Sequence, residues 1–273
     1  MGSEIFAYTG KRVIVTGAAS GMGEATARII GELGGEVHAL DVNPPRVDVA
    51  HHLHTDLRDP QSIDAAVDEI GGPVHALFNC AGLPQTFPPL DVMTVNFLGH
   101  RHLGERAASL MPEGSAIAAI SSVGGMMWQT RIAAVNELLE TPDLASGRAW
   151  CEAHPDIVNE GYSFSKECIV VYTMRQSPRL IARGIRINCI SPGPTTTAMY
   201  PHFEEAMGKA YMDDFPRPIG RNSTPEEQAY ALAFLNSAAA SYITGTNLFT
   251  DGGFTGALNT GQLDISKMIP ASA

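Results

Sequence analysis

Tyr162 and Lys166 stand four residues apart in Tyr162-Ser163-Phe164-Ser165-Lys166. On a helix, positions i and i+4 share a face, so this spacing holds an ammonium beside a phenol. A free phenol titrates near ~10, and an adjacent cation stabilises the phenolate and moves that value toward neutral pH. The pair therefore reads as a proton donor and acceptor. Upstream, the apolar run 115–120 ends in Ser121-Ser122, which puts hydroxyls at the carboxyl end of a strand, where open α/β sheets hold their ligands. Near the start, Gly17, Gly21 and Gly23 follow a β-branched run at 12–16 and lead into a helical pattern at 22–33. Glycines let the backbone approach a ligand closely, and the free N–H groups of a helix start face an anion. The turn Gly17, Ser20, Gly21, Met22, Gly23 is thus a candidate phosphate cradle.

These groups need a frame that brings distant segments to one edge. Strands are expected at 12–16, 36–40, 51–54, 74–78, 115–120, 185–190 and 247–251, separated mostly by amphipathic helices. Pro60 to Ile70 is one such helix, with Ile63, Val67 and Ile70 on one side, and Thr224-Pro225-Glu226-Glu227 is a capping box opening another. Pro44-Pro45 spoils any helix between the second and third strands. Asp41 ends the second strand, 24 residues past Gly17. A carboxylate there accepts hydrogen bonds from both ribose hydroxyls of an adenosine and repels a 2′-phosphate, which favours NAD over NADP. Asp41 also suits a surface turn, and Arg46 in the following loop could swing toward a phosphate. His51, His52 and His54 look superficially like metal ligands, but neighbours alternate across a strand and cannot converge, so no metal is expected.

Taken in order, Thr16-Gly17-x-x-x-Gly21-x-Gly23, Asn79-Cys80-Ala81-Gly82, Ser122, Tyr162-x-x-x-Lys166 and Pro192-Gly193 with Thr197 resemble the short-chain dehydrogenase/reductase family, over about residues 10–254. The resemblance implies an α/β fold, a Rossmann-type doubly wound parallel sheet of about seven strands, with NAD as cofactor. It implies Tyr162 as general acid and base, Lys166 lowering its pKa and binding the nicotinamide ribose, Ser122 binding the reacting oxygen, and Asn96 distorting its helix and holding a proton-relay water. It also implies that Asp56 and Leu57 flank the adenine, that Asn79, Ala81 and Gly82 pass the ribose, and that Pro192, Gly193, Thr195 and Thr197 grip the carboxamide.

Three departures stand out. Cys80 replaces a usual Asn, the 42–50 connection is trimmed, and thirty-nine residues separate Ser122 from Tyr162. The last is read as a helical insertion at 124–158, with helices at 131–140 and from Thr141-Pro142-Asp143 to Ala153. The insertion, the trimmed connection and the short loop before Asn96 together are similar to the bacterial branch of 3α-hydroxysteroid dehydrogenase/carbonyl reductase and coniferyl-alcohol dehydrogenase. A bulky, largely apolar alcohol or ketone is the implied small-molecule substrate, with Met126, Met127, Trp128, Met199, Tyr200, Phe203, Met207 and Tyr211 as candidate pocket residues.

One domain over 1–273 is expected from the length and 44% hydrophobic content, with a tail at 254–273 that carries no motif. A net charge of −11 argues against nucleic acid or an anionic membrane surface as partner. No basic start with an apolar core opens the chain, so a cytoplasmic location is expected. Four cysteines without paired spacing read as free buried thiols. A homodimer or homotetramer is implied, with the insertion favouring association through 224–251. The alternative reading is a catalytically silent cofactor sensor of the same fold, and retention of both Tyr162 and Lys166 argues against it.

Overall fold

A computed structural model of the chain describes residues 4–263; the end of the expected tail, 264–273, lies outside the described residues. Strand and helix alternate from the start: β1 (Arg12–Thr16), α1 (Gly21–Glu32), β2 (Glu36–Asp41), β3 (His51–His54), α2 (Pro60–Ile70) and β4 (Ala76–Asn79). The middle of the chain holds α3 (Pro89–Met93), α4 (Gly99–Ala108), β5 (Ala116–Ile120), α5 (Ile132–Leu139), α6 (Leu144–Ala153), α7 (Pro155–Val158) and α8 (Tyr162–Ile181). It closes with β6 (Arg186–Pro192), α9 (Tyr200–Met207), α10 (Lys209–Asp214), α11 (Pro225–Asn236), β7 (Asn247–Thr250) and α12 (Phe254–Asn259).

The seven strands pair in parallel in the order β3-β2-β1-β4-β5-β6-β7, a Rossmann-type doubly wound sheet. β4, β5 and β6 are buried along their whole length in a sheet covered on both faces, and the polar side chains this encloses in β6, Arg186, Asn188 and Ser191, are hydrogen-bonded. One apolar layer joins Leu40, Leu77 and Ile117 to α2, α4 and α8, and the other joins Val37, Phe78 and Ile120 to α1 and α11. No helix among the described residues is long and apolar enough to cross a membrane.

Strand and helix ends shift by a residue or two from expectation, and two differences have a visible cause. β4 begins at Ala76 because Val74, following Pro73, gives its N–H to Leu110 O instead of to a neighbouring strand. The helix expected from Val92 starts at Pro89 and changes at Thr94–Leu98 into a π-turn before α4 resumes. The 42–50 connection holds no helix, as the prolines demand.

The insertion is a three-helix unit rather than a hairpin, since α7 follows the two helices legible in the sequence. Asp143 caps α6 by accepting from Ser146 N–H. The unit is bolted to the catalytic half of the fold. Arg131 makes a two-pronged pair with Glu167 of α8, at 2.8 and 2.9 Å, and gives a third hydrogen bond to Ile157 O. Trp150 stacks on the fully buried Phe164, and Arg148 reaches Thr94 in the π-turn at 2.8 Å.

The Glu167 side chain is 2% exposed, and burial raises its pKa against the pull of Arg131. Removing the guanidinium would leave a buried carboxylate alone. Arg131→Ala is expected to cost about 3 kcal/mol in urea unfolding at neutral pH. A carboxyl whose folded pKa lies above its unfolded value takes up a proton on folding, so this deficit should shrink as pH falls from 7 toward 5. A deficit independent of pH would exclude the orphaned carboxylate as its cause.

Candidate active site

The carboxyl ends of the strands line one continuous cleft. Its first part, a cavity of ≈ 400 Å³, runs past Gly17–Gly23, Asp41, Thr55–Arg58 and Ala81–Leu83. Its second, also ≈ 400 Å³, holds Ser122, Tyr162, Lys166, Pro192, Gly193 and Thr195. Met22, Cys80, Ala81, Gly82, Thr197 and Met199 border both.

The glycine turn works by close approach. Gly17 has φ +68°, and a Cβ on it would stand 2.6 Å from Ala81 Cα, so the β1 and β4 ends meet backbone to backbone. Thr16, fully buried, accepts the N–H groups of Cys80 and Ala81 at 2.9 and 3.0 Å, and its hydroxyl also meets the ring of buried His100 at 3.2 Å. Burial pushes that imidazole down to about 3, which keeps it neutral. The backbone after β4 is therefore held without help from the missing Asn at position 80.

Asp41 accepts the Ala19 N–H on Oδ2 and the Asn43 N–H on Oδ1, so it braces the glycine turn while still bordering the cleft. Arg46 lines a neighbouring cavity with Ser20, Arg28 and Thr196 and does not border the Asp41 side. Asp56 is gripped by Arg58, a cleft residue the sequence reading passed over. Asn79 is turned out of the group: it lines a separate cavity between α4 and α8, with Oδ1 unpaired among the described residues.

Deeper in the cleft, α8 is docked on the end of β5. Ser121 Oγ donates to Lys166 O at 2.8 Å, Lys166 Nζ donates to Ile120 O at 2.9 Å, and a Cβ on Gly125 would fall 2.8 Å from Lys166 C. Both serines line the chamber, but Ser121 is thereby spent on structure, and the Ser122 hydroxyl is the one set against the Tyr162 phenol. Ser122 Oγ accepts the Gly124 N–H at 3.0 Å, which caps the short turn that follows.

The phenol–ammonium pair departs from the expected electrostatics. Lys166 Nζ lies 5.4 Å from the Tyr162 ring centre, as the spacing requires. Burial nevertheless pushes the phenol up to about 12, with only the Ser122 hydroxyl drawing it back, and pushes the ammonium down to about 8. In a site this dry the cost of charge outweighs the benefit of the neighbouring cation, so the protein's own groups do not make the phenol acidic.

Asn96 is completely buried in the π-turn. Its amide accepts Leu83 N–H at 2.7 Å and donates to Leu83 O at 3.0 Å and Ser165 Oγ at 3.3 Å. The side chain clamps the loop after β4 to α8. Over the chamber lie Met126, Met199, Tyr200, Phe203, Met207 and Tyr211, whereas Met127 is exposed and Trp128 packs against the core layer of α8. Met212, Phe215 and Phe254 complete the apolar wall, and Gln85 and Glu160 are its polar points. No sequence signal marked these five, because they arrive from α10, α12 and loops by packing alone.

The cleft fits a dinucleotide: a positive-φ glycine turn opens onto a helix start, an acid stands at the end of β2, and a largely apolar chamber lies at the other end. Comparison with known proteins agrees. Residues 11–134 match the family model for short chain dehydrogenase, and residues 155–255 match that for Enoyl-(Acyl carrier protein) reductase. The chain is 32% identical over 246 residues to coniferyl-alcohol dehydrogenase of Pseudomonas sp. (strain HR199), covering 90% of this chain and 96% of the relative. It is 29% identical over 260 residues to 3-alpha-hydroxysteroid dehydrogenase/carbonyl reductase of Comamonas testosteroni, covering 92% and 98%. The solved 3-alpha-hydroxysteroid dehydrogenase from Pseudomonas sp. B-0831, complexed with NADH, superposes with a TM-score of 0.78 at 27% identity, covering 93% of this chain and 100% of that one.

The raised phenol is directly measurable. In ultraviolet difference titration of cofactor-free protein, wild type and Tyr162→Phe should show equal phenolate absorbance up to about pH 10. An extra phenolate in the wild type below about pH 9 would mean that the Lys166 charge outweighs burial.

Proposed function

The chain belongs to the short-chain dehydrogenase/reductase family, and from that premise we propose that it is an NAD(H)-dependent oxidoreductase interconverting an alcohol and a carbonyl on a bulky, largely apolar substrate. The observation that carries this reading is the meeting of Ser122, Tyr162 and Lys166 in an apolar chamber continuous with the cleft that Asp41 borders. A bound nicotinamide would supply the hydride acceptor or donor and, when oxidised, a positive charge. The chain supplies the rest. Ser122 Oγ hydrogen-bonds the reacting oxygen, and Tyr162 Oη takes its proton in oxidation or returns it in reduction. Lys166, fixed at Ile120 O in this arrangement, would hold the ribose, and it braces the helix turn that aims Tyr162. The Asn96 amide is spent on Leu83 and Ser165, so a relay water at Asn96 would have to be held by another of its groups.

Substrate class follows from the wall. Methionines and aromatic rings adapt to a large apolar body, and the chemistry named for the coniferyl-alcohol and hydroxysteroid relatives is of that kind. NAD over NADP rests on Asp41, whose carboxylate would repel a 2′-phosphate. The acidic composition suits a cytoplasmic enzyme. The proposed self-association uses the α11–β7 face, a reading supported by the exposure of Tyr230, Tyr242 and Phe249 and by α5 covering part of α8 through Arg175–Glu140.

The test is an NADH-absorbance screen of hydroxysteroids, cinnamyl-type alcohols and simple aliphatic alcohols, repeated with NADP. Turnover of one of the first two classes with NAD is expected, and a preference for aliphatic alcohols or for NADP would overturn the corresponding part. On the best substrate, Tyr162→Phe should lower kcat by ~10²–10⁴-fold while NADH binding changes little. Sedimentation velocity checks the assembly: Tyr242→Asp with Phe249→Asp should yield smaller particles than wild type, and unchanged particles would put the contact elsewhere.

A further inference from the structure

His51, His52 and His54 do not converge, yet one of them meets different partners across the sheet. β2 and β3 run parallel with His38 opposite His51. Alternate residues of a strand share a face, so Glu36 and His38 project on the same side as His51, and His52 and His54 project on the other. The His38 and His51 ring centres are 4.6 Å apart, and His38 Nε2 is 2.9 Å from Glu36 Oε1. One donor atom from each of the three lies within 4.8 Å of the others. The His38 side chain is buried, while Glu36 and His51 open to solvent and give the cluster an entry path.

We propose that Glu36, His38 and His51 form a site for a divalent transition cation of the zinc class, two imidazole nitrogens and one carboxylate oxygen with water completing the shell. Ligand atoms about 2.1 Å from a tetrahedral ion lie about 3.4 Å from one another, so closure asks for rotation of exposed His51 and no backbone movement. Arg12 Nε contacts Glu36 Oε1 at 3.2 Å and serves as the outer partner that orients the carboxylate. Its charge also opposes a dication, which makes the affinity moderate. Thiols do not compete. All four cysteines are free, and burial raises Cys80, Cys151 and Cys189 to about 12 and Cys168 well above its ordinary value. A bound ion would pin the first residue of the edge strand β3 to β2, at the foot of the one interstrand connection here that has lost its helix. The site is independent of the proposed oxidoreductase reading.

The full chain, without a histidine tag and stripped of metal by a chelator, is titrated calorimetrically with zinc sulfate. One zinc per chain with a micromolar Kd is expected, together with a rise in Tm. His51→Ala and Glu36→Gln should each weaken binding by ~10-fold or more, and His52→Ala, on the opposite face, should bind as wild type. His51 is exposed, so its loss leaves the core intact, and an unchanged circular dichroism spectrum verifies this. The proposal falls if wild type takes up no zinc at millimolar concentration, if His51→Ala binds as tightly as wild type, or if magnesium binds equally well.

Discussion

The docking of one turn of α8 onto the end of β5 is the contact on which the site depends. It is made at backbone level: the Ser121 hydroxyl holds Lys166 O, the Lys166 ammonium holds Ile120 O, and Gly125 permits the approach. Tyr162 begins that same helix, so its position over the chamber follows from the contact and not from the phenol's own interactions. Side chains placed on rigid elements hold geometry more tightly than those on loops. Ser122 is the next residue after the docking serine, so the hydroxyls of Ser122 and Tyr162 are referred to one anchor.

The insertion extends that logic outward. α5 and α7 are tied to α8 through Arg131, α6 to the π-turn through Arg148, and Trp150 stacks on Phe164 between them. The π-turn and α8 are already joined by the Asn96 amide. Three segments distant in sequence thus brace one another, with buried polar groups satisfied across the joints, and a network of that kind fixes a single arrangement.

What was legible in the sequence was local. The i, i+4 spacing of Tyr162 and Lys166, the glycine turn and the capping of α6 and α11 each depend on a few neighbouring residues, and each lies where the spacing put it. What escaped depends on burial or on contacts across the chain. Asn79 faces the α4–α8 side because strand alternation and β4 pairing decide it. Phe254 reaches the chamber only through tertiary packing, and the phenol's pKa rises because the surroundings are dry, a property no dipeptide spacing encodes. The histidines were judged along one strand, where they diverge, and the partner strand supplied the neighbours.

Sulfur is divided unevenly in this molecule. Its thiols all have raised pKa values, that of Cys80 at the cleft included, so little thiolate is present at neutral pH for peroxide to attack. Its thioethers are placed differently: Met126, Met199, Met207 and Met212 face the chamber, with Met207 on the outer surface as well. Oxidation of a thioether turns an apolar wall polar and is undone only by dedicated reductases. Oxidative wear in this fold therefore lands on the chamber wall before it reaches Ser122, Tyr162 or Lys166.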